Sequence, residues 1–230
     1  MISVIIPIYN QANKLPQCLD SLLQQTYQNY EVIIVNDGSQ DNVDQVVANY
    51  QSKFPAGRWQ VIKQTNQGSN PARNRGAEVA QGQYLLFCDA DLILKPTMLE
   101  LMLQALQQHP TVSFVYSSFK YGPKLFKLWP YDADKLRQLP YIHTTSLIRA
   151  EHFPGFDNKL KRLQDWDLWL TMLEQGHIGY WLDAILFTAQ AGGGISNWLP
   201  SFVYKILPKL PQVKKYQTAV KIIKNKHYLS

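Results

Sequence analysis

Apolar positions along the first half of the chain alternate between two rhythms. The runs "ISVIIPI" and "EVIIVN" are continuous and rich in β-branched residues, the pattern of strands buried on both faces. Between them, Leu15, Leu19, Leu22 and Leu23 recur at helical spacing. A second cycle follows, with "NVDQVVANYQ" as helix, "RWQVIKQ" as strand, "PARNRGAEVAQ" as a helix with Pro71 near its start, and "QYLLFC" as strand. Leu99, Met102, Leu103 and Leu106 then mark one face of a further helix, and "TVSFVYSS" returns to strand. The alternation predicts an α/β, doubly wound fold of Rossmann-like type, a mostly parallel sheet with helices on both faces. Ligands in such sheets bind where strands deliver the chain at their carboxyl ends.

The C-terminal pattern is different. Trp198, Leu199, Phe202, Val203, Ile206, Leu207 and Leu210 fall on one helical stripe with lysines around it, and Pro208 and Pro211 divide the stretch into short segments. This basic amphipathic tail predicts peripheral association with an anionic membrane surface, or packing on the body. Charge supports the division. The chain carries +6, but the tail from residue 198 holds seven lysines and no acid, which leaves a net −1 on residues 1–197. A body without positive charge argues against nucleic acid as a partner.

Composition narrows the class further. With 46% hydrophobic residues in 230, the chain can bury a large core. Cys18 and Cys88 lack CxxC spacing and sit among apolar neighbours, so they read as reduced core thiols, suited to a cytoplasmic location. The opening "MISVIIPIYN" is short, has no basic residue and is broken by proline, so it reads as a first strand rather than an export signal. The five histidines show no ligand spacing and read as surface or packing residues.

Chemistry concentrates in the loops after the strands. "PIYN" supplies an aromatic and an amide. "NDGSQD" places Asp37 after a strand, with Gly38 allowing an unusual turn. "NQGSNPARNRG" puts Arg73 and Arg75 in the first turn of a helix, whose N-terminus favours anions. "YLLFCDADLIL" ends an apolar strand on Asp89 and Asp91, costly there unless a cation or a set of donors meets them. If extension continues through Ala90, both carboxylates face one side. Mg²⁺ or Mn²⁺ is commonly held by one or two carboxylates together with phosphate oxygens, so the set suits a nucleotide diphosphate and a divalent cation. Further on, Asp165 and Asp167 open a helix whose Leu168, Met172 and Leu173 face a core. Trp166 and Trp169 flank them as sugar-stacking or core residues.

The ordered set "VIIPIYN", "EVIIVNDGSQD", "NQGSNPARNRGAEVAQGQYLLFCDAD" and "GFDNKLKRLQDWDLWLTMLEQG" resembles the family 2 glycosyltransferases of the GT-A fold. The resemblance covers most of residues 1–183. It implies a GT-A domain over residues 1–197, with a nucleotide-binding half of about 1–118 and an acceptor half of about 119–197, followed by the tail. It also implies an inverting transfer of a sugar from a nucleotide diphosphate donor, a UDP-sugar first, to a hydroxyl of a carbohydrate or glycolipid in envelope polysaccharide synthesis. Carried over by position, Pro7, Tyr9 and Asn10 line the base and ribose pocket, and Asp37 with Gly38 meets the base. Arg73 lies beside the nucleotide, Asp89 near ribose and metal, and Asp91 on Mn²⁺ or Mg²⁺. Asp165 is the general base, with Trp166 and Asp167 on the acceptor side.

Two departures qualify the match. Gln164 stands where the family often has Glu before the base, and Ala189 and Ala191 stand where it often has arginine and histidine before a glycine-rich loop, here Gly192 to Gly194. These leave a non-catalytic nucleotide-sugar-binding protein as an alternative. A sugar-phosphate nucleotidylyltransferase would need a glycine-rich basic loop after the first strand, which "PIYNQANK" lacks. No GxGxxG follows that strand either, which argues against a dinucleotide oxidoreductase.

Overall fold

The computed structural model describes residues 1–190 and 210–229. The expected alternation is present. β1 (Ile2–Ile8), α1 (Leu15–Leu23), β2 (Tyr30–Asn36), α2 (Val43–Gln51), β3 (Trp59–Lys63), α3 (Ser69–Val79) and β4 (Tyr84–Phe87) form the first half. The chain continues through β5 (Leu92–Leu94), α4 (Met98–Gln108), β6 (Phe114–Tyr121), β7 (Lys124–Phe126), α5 (Ala133–Gln138) and β8 (Leu147–Arg149). It closes with α6 (Gln164–Glu174), β9 (Gly179–Ala189) and α7 (Pro211–Lys226).

The described strands make one sheet in the order β3-β2-β1-β4-β8-β6-β9-β5, with β7 on β6. Parallel pairing spans β3, β2, β1 and β4, as the sequence predicts. Beyond β4 the sheet is mixed, because β8 runs antiparallel to both β4 and β6, while β9 is parallel to β6. The chain moves outward from β1 to β3 and then returns to β4 on the other side of β1. That reversal opens a crevice at the carboxyl ends of β1 and β4.

Both faces of the sheet are covered, which is why β1 and β2 are apolar at nearly every position and buried throughout. Ile2, Val4, Ile6 and Ile8 pack with α1, α2 and α4, whereas Ile5, Ile33 and Phe87 face α3, α5 and α6. Each such side chain, fully buried, contributes about 2 kcal/mol. Gly76 sets the closeness of α3, since a Cβ there would lie 2.4 Å from Cγ2 of Ile5. Cys18 and Cys88 are buried free thiols between α1 and β4, as read from their neighbours.

The tail is in part a structural element of the body. Pro211 begins α7 instead of interrupting a helix, and Val213, Ala219 and Ile223 are buried by it. The stripe from Trp198 to Leu207 and the glycines 192–194 lie outside the described residues. Among the described residues no helix is long and apolar enough to cross a membrane. Polar pairs fasten α7 to α6. Buried Asp167 meets Lys226 at 2.7 Å and His227 at 2.9 Å, and His227 also meets Glu174 at 2.7 Å. Asp167→Asn is expected to cost about 2 kcal/mol, below the usual range for breaking a buried pair because Lys226 keeps some solvent and its contact with Asp157. In a chain of this size that is a fall in Tm of about 4–8 °C. Burial opposes protonation of His227, but the two carboxylates outweigh it and raise its pKa. The stabilisation is therefore full below the ordinary histidine pKa near 6.5 and fades as pH rises through the raised value. Melting curves across neutral to alkaline pH should fall more steeply for the wild type than for Asp167→Asn.

Candidate active site

The carboxyl ends of β1 and β2 are tied to each other by their loops. Pro7 is inside β1 and buried, whereas Tyr9 is 46% exposed at the edge. Asn10 adopts φ 51° and accepts a hydrogen bond from the Gln40 amide at 2.8 Å, while its own amide donates to Ser39. One turn on, the Ala12 amide donates to Asp41 at 2.8 Å.

Asp37 is buried, and its carboxylate organises the loop that leads into α3. Oδ1 accepts from the side chain of Gln64 and the amide of Gln67, and Oδ2 accepts from the amide of Gly68 at 2.8 Å. A carboxylate offers about four acceptor positions, so Oδ2 keeps one for a further donor. Gly38 is required on two counts. Its φ is +77°, and a Cβ would stand 2.9 Å from the amide nitrogen of Asn66.

The "SNPARN" segment joins the two halves. α3 begins at Ser69, so Arg73 is the fifth residue and lies beyond the first turn expected from Pro71; Arg75 points outward to Glu78. Asn70 and Asn74 share one face, four residues apart. Asn70 donates to the carbonyls of Asp157 and Leu160, and Asn74 both donates to the Phe156 carbonyl and accepts from the Phe156 amide. These bonds seat the segment before α6 against α3. Gln164, at the position where a glutamate was expected, reaches Ser69 at 3.5 Å.

Between those asparagines, Arg73 turns into the crevice and binds Asp89 at 2.6 Å. Burial would raise the Asp89 pKa, but the charge and hydrogen bond of Arg73 hold it below the usual carboxylate range. Extension does not continue through Ala90. β4 ends at Phe87, and the Leu92 amide bonds back to the Asp89 carbonyl at 3.1 Å, so Asp89 and Asp91 are carried on a tight turn. The turn still places the carboxylates close enough to feel each other. Burial and the Asp89 charge raise Asp91, against the pull of Lys14 at 3.8 Å. Two mutually repelling carboxylates with oxygen donors suit a hard divalent cation that completes its shell from phosphate and water. Among the described residues no cluster of three or more acidic, histidine or cysteine side chains offers a full protein cage.

Asp165 belongs to the same crevice, within the fields of both Arg73 and Asp89. Burial raises its pKa against the hydrogen bond from the Trp166 amide at 2.9 Å and the charge of Arg73. The acceptor-side placement of its neighbours is corrected. Trp166 is buried and donates through Nε1 to the Leu136 carbonyl, and Asp167 turns to α7. Successive helical positions diverge by about 100°, so a carboxylate two places on must face elsewhere. Trp169 is likewise core, donating to the Ile142 carbonyl at 3.0 Å.

Two residues here had no signal in the sequence. His143 sits near Asp89 and Arg73 with its pKa lowered to about 4, chiefly by burial, and its Nδ1 accepts from the Thr145 amide at 3.0 Å. It is thus a neutral imidazole with the proton on Nε2. Lys14, from the start of α1, is the other. A lone histidine and a lone lysine in loops carry no spacing pattern, so only the fold could bring them in.

Residues 3–166 match the family model of glycosyl transferase family 2. An uncharacterized glycosyltransferase of Haemophilus influenzae is 34% identical over 193 residues, 76% of this chain and 63% of that protein. The chain thus spans less than two thirds of that relative's length. Among solved structures, S. aureus TarS 1-349 in complex with UDP-GlcNAc superposes with a TM-score of 0.72 at 21% identity, over 89% of this chain and 63% of that one. The mannosyltransferase PcManGT of Pyrobaculum calidifontis, in complex with GDP-Man and Mn²⁺, gives 0.68 at 19% identity, over 86% of this chain and 58% of that one. The shared architecture is the GT-A fold expected from the ordered motifs.

Proposed function

The chain belongs to glycosyl transferase family 2, and we propose that it moves a sugar from a UDP-sugar to an acceptor hydroxyl with inversion at the anomeric carbon. The observation that carries this reading is the convergence of Asp165, Arg73, Asp89 and Asp91 on one crevice where the parallel sheet reverses direction. Tyr9 and Asn10 border the base and ribose, and the free lone pair on Asp37 accepts an N–H of the base. That solved proteins of the same fold hold UDP-GlcNAc or GDP-Man supports a nucleotide diphosphate sugar as donor.

In the reaction the acceptor oxygen bonds to the anomeric carbon as the bond from that carbon to the diphosphate oxygen breaks. The electron pair leaves on the nucleotide diphosphate. Asp165 takes the acceptor proton, and its raised pKa makes it a stronger acceptor than a solvated aspartate. Arg73, anchored by Asp89, offers fixed positive charge to the departing diphosphate, in a site that needs no reorganisation to provide it. Asp91 and Asp89 are the residues that would hold Mn²⁺ or Mg²⁺, and the ion would supply Lewis-acid neutralisation of the diphosphate.

The test is a panel of UDP-, GDP- and dTDP-sugars offered with simple glycoside acceptors, read as nucleotide diphosphate release with Mn²⁺ and with EDTA. Release from a UDP-sugar that rises with acceptor and with Mn²⁺ is the expected result. Donor binding without any release would point to a binding protein, and binding of none of the donors would remove the reading.

A further inference from the structure

Lys14 is placed unlike an ordinary surface lysine. It stands at the start of α1, directly after the β1 loop, and is only 8% exposed. Its Nζ is buried and makes no hydrogen bond. The nearest carboxylate oxygen is Oδ2 of Asp91 at 3.8 Å, an ion-pair distance too long for a hydrogen bond. An ammonium carries three donors, and leaving all of them unmade away from water is costly. Such a group persists where a ligand completes it.

The surroundings identify the ligand's chemistry. Among the described residues Lys14 and Arg73 are the cations at ion-pair distance from the Asp89–Asp91 turn, Lys14 from Asp91 and Arg73 from Asp89. α1 has no side-chain cap at its N-terminus, and Lys14 is its N-cap residue, so the positive end of the helix dipole lies beside the ammonium-bearing residue. The position is the switch point between β1 and β4, where doubly wound sheets receive phosphates. A group with several acceptor oxygens and more than one negative charge satisfies all three features at once.

We propose that Lys14 is a substrate-binding residue whose buried ammonium grips the diphosphate of the donor, sharing its neutralisation with Arg73 and lessening reliance on a metal ion. The proposal rests on the nucleotide diphosphate reading above. It gives Asp91 a second task, holding Lys14 in place before the donor arrives.

Calorimetric titration of the whole chain with UDP, GDP and uridine in EDTA, and again with Mn²⁺, tests it in wild type, Lys14→Met and Lys14→Gln. Methionine and glutamine keep much of the side-chain length without the charge, and melting temperatures confirm that each variant is folded. In EDTA both variants should lose about tenfold or more in affinity for the nucleotide diphosphate, the usual worth of a charged hydrogen bond. Uridine affinity should not change, and Mn²⁺ should recover part of the lost diphosphate binding. Equal affinity of wild type and variants for the diphosphate would overturn the assignment. So would a parallel loss for uridine, which would mark a structural role. Failure of the wild type to bind either diphosphate would instead bring down the donor reading itself.

Discussion

Asp165→Asn is expected to lower the rate of sugar transfer by about 10²-fold or more, the scale for loss of a positioned general base, while donor affinity stays unchanged. Asparagine keeps the shape of the side chain and its acceptor for the Trp166 amide but cannot take a proton. The folded state disfavours the ionised form of Asp165, chiefly through burial. Its pKa is thus higher in the fold than in the unfolded chain, and the negative charge costs stability at neutral pH. The variant should melt at the wild-type temperature or slightly above, a combination that a merely structural aspartate would not give. The same shift predicts that wild-type transfer falls on acidification through a pKa above the ordinary aspartate value near 3.9. Parallel measurement of initial rate, donor affinity and Tm decides the matter. A folded Asp165→Asn protein with near-normal transfer would take Asp165 out of the mechanism.

Asp91→Asn should abolish the part of donor affinity that depends on Mn²⁺, an effect of about 10²-fold if the ion supplies a few kcal/mol to diphosphate binding. Binding in EDTA should be largely retained, because Arg73 and Asp89 remain paired at 2.6 Å and asparagine keeps an oxygen beside Lys14. The fold should survive. Burial and the neighbouring Asp89 charge already strain the ionised form of Asp91, and the amide relieves that repulsion. Titration of the donor with and without Mn²⁺ reads both quantities in one series. A variant whose affinity still rises with Mn²⁺ as in the wild type would move the metal away from Asp91.

Many of these positions are legible from local pattern. Ile2 to Ile8 and Tyr30 to Asn36 are apolar because both faces of a parallel sheet are covered, a constraint that shows in the residues themselves. Asp37, Gly38 and Asp89 stand at the ends of such runs, so their place in loops at a sheet edge follows from periodicity, and Arg73 and Asp165 lie near the starts of the helices α3 and α6. Trp166 and Asp167 are different. Two tryptophans beside carboxylates fit a sugar site and a helix core equally well, and the direction each faces depends on where α6 docks.

The parallel half of the sheet, the order of its helices and the family are legible in local stretches, because buried periodicity and strand-end loops are written in contiguous residues. Packing between distant segments set the rest: the chain beyond residue 118 adds antiparallel β8, Asp167 serves α7, and Asn70 and Asn74 clamp the segment leading to Asp165. It alone decided as well that Lys14 and His143 join the crevice. These are contacts between groups far apart in the chain. Their energies depend on distance and burial, which no spacing pattern encodes.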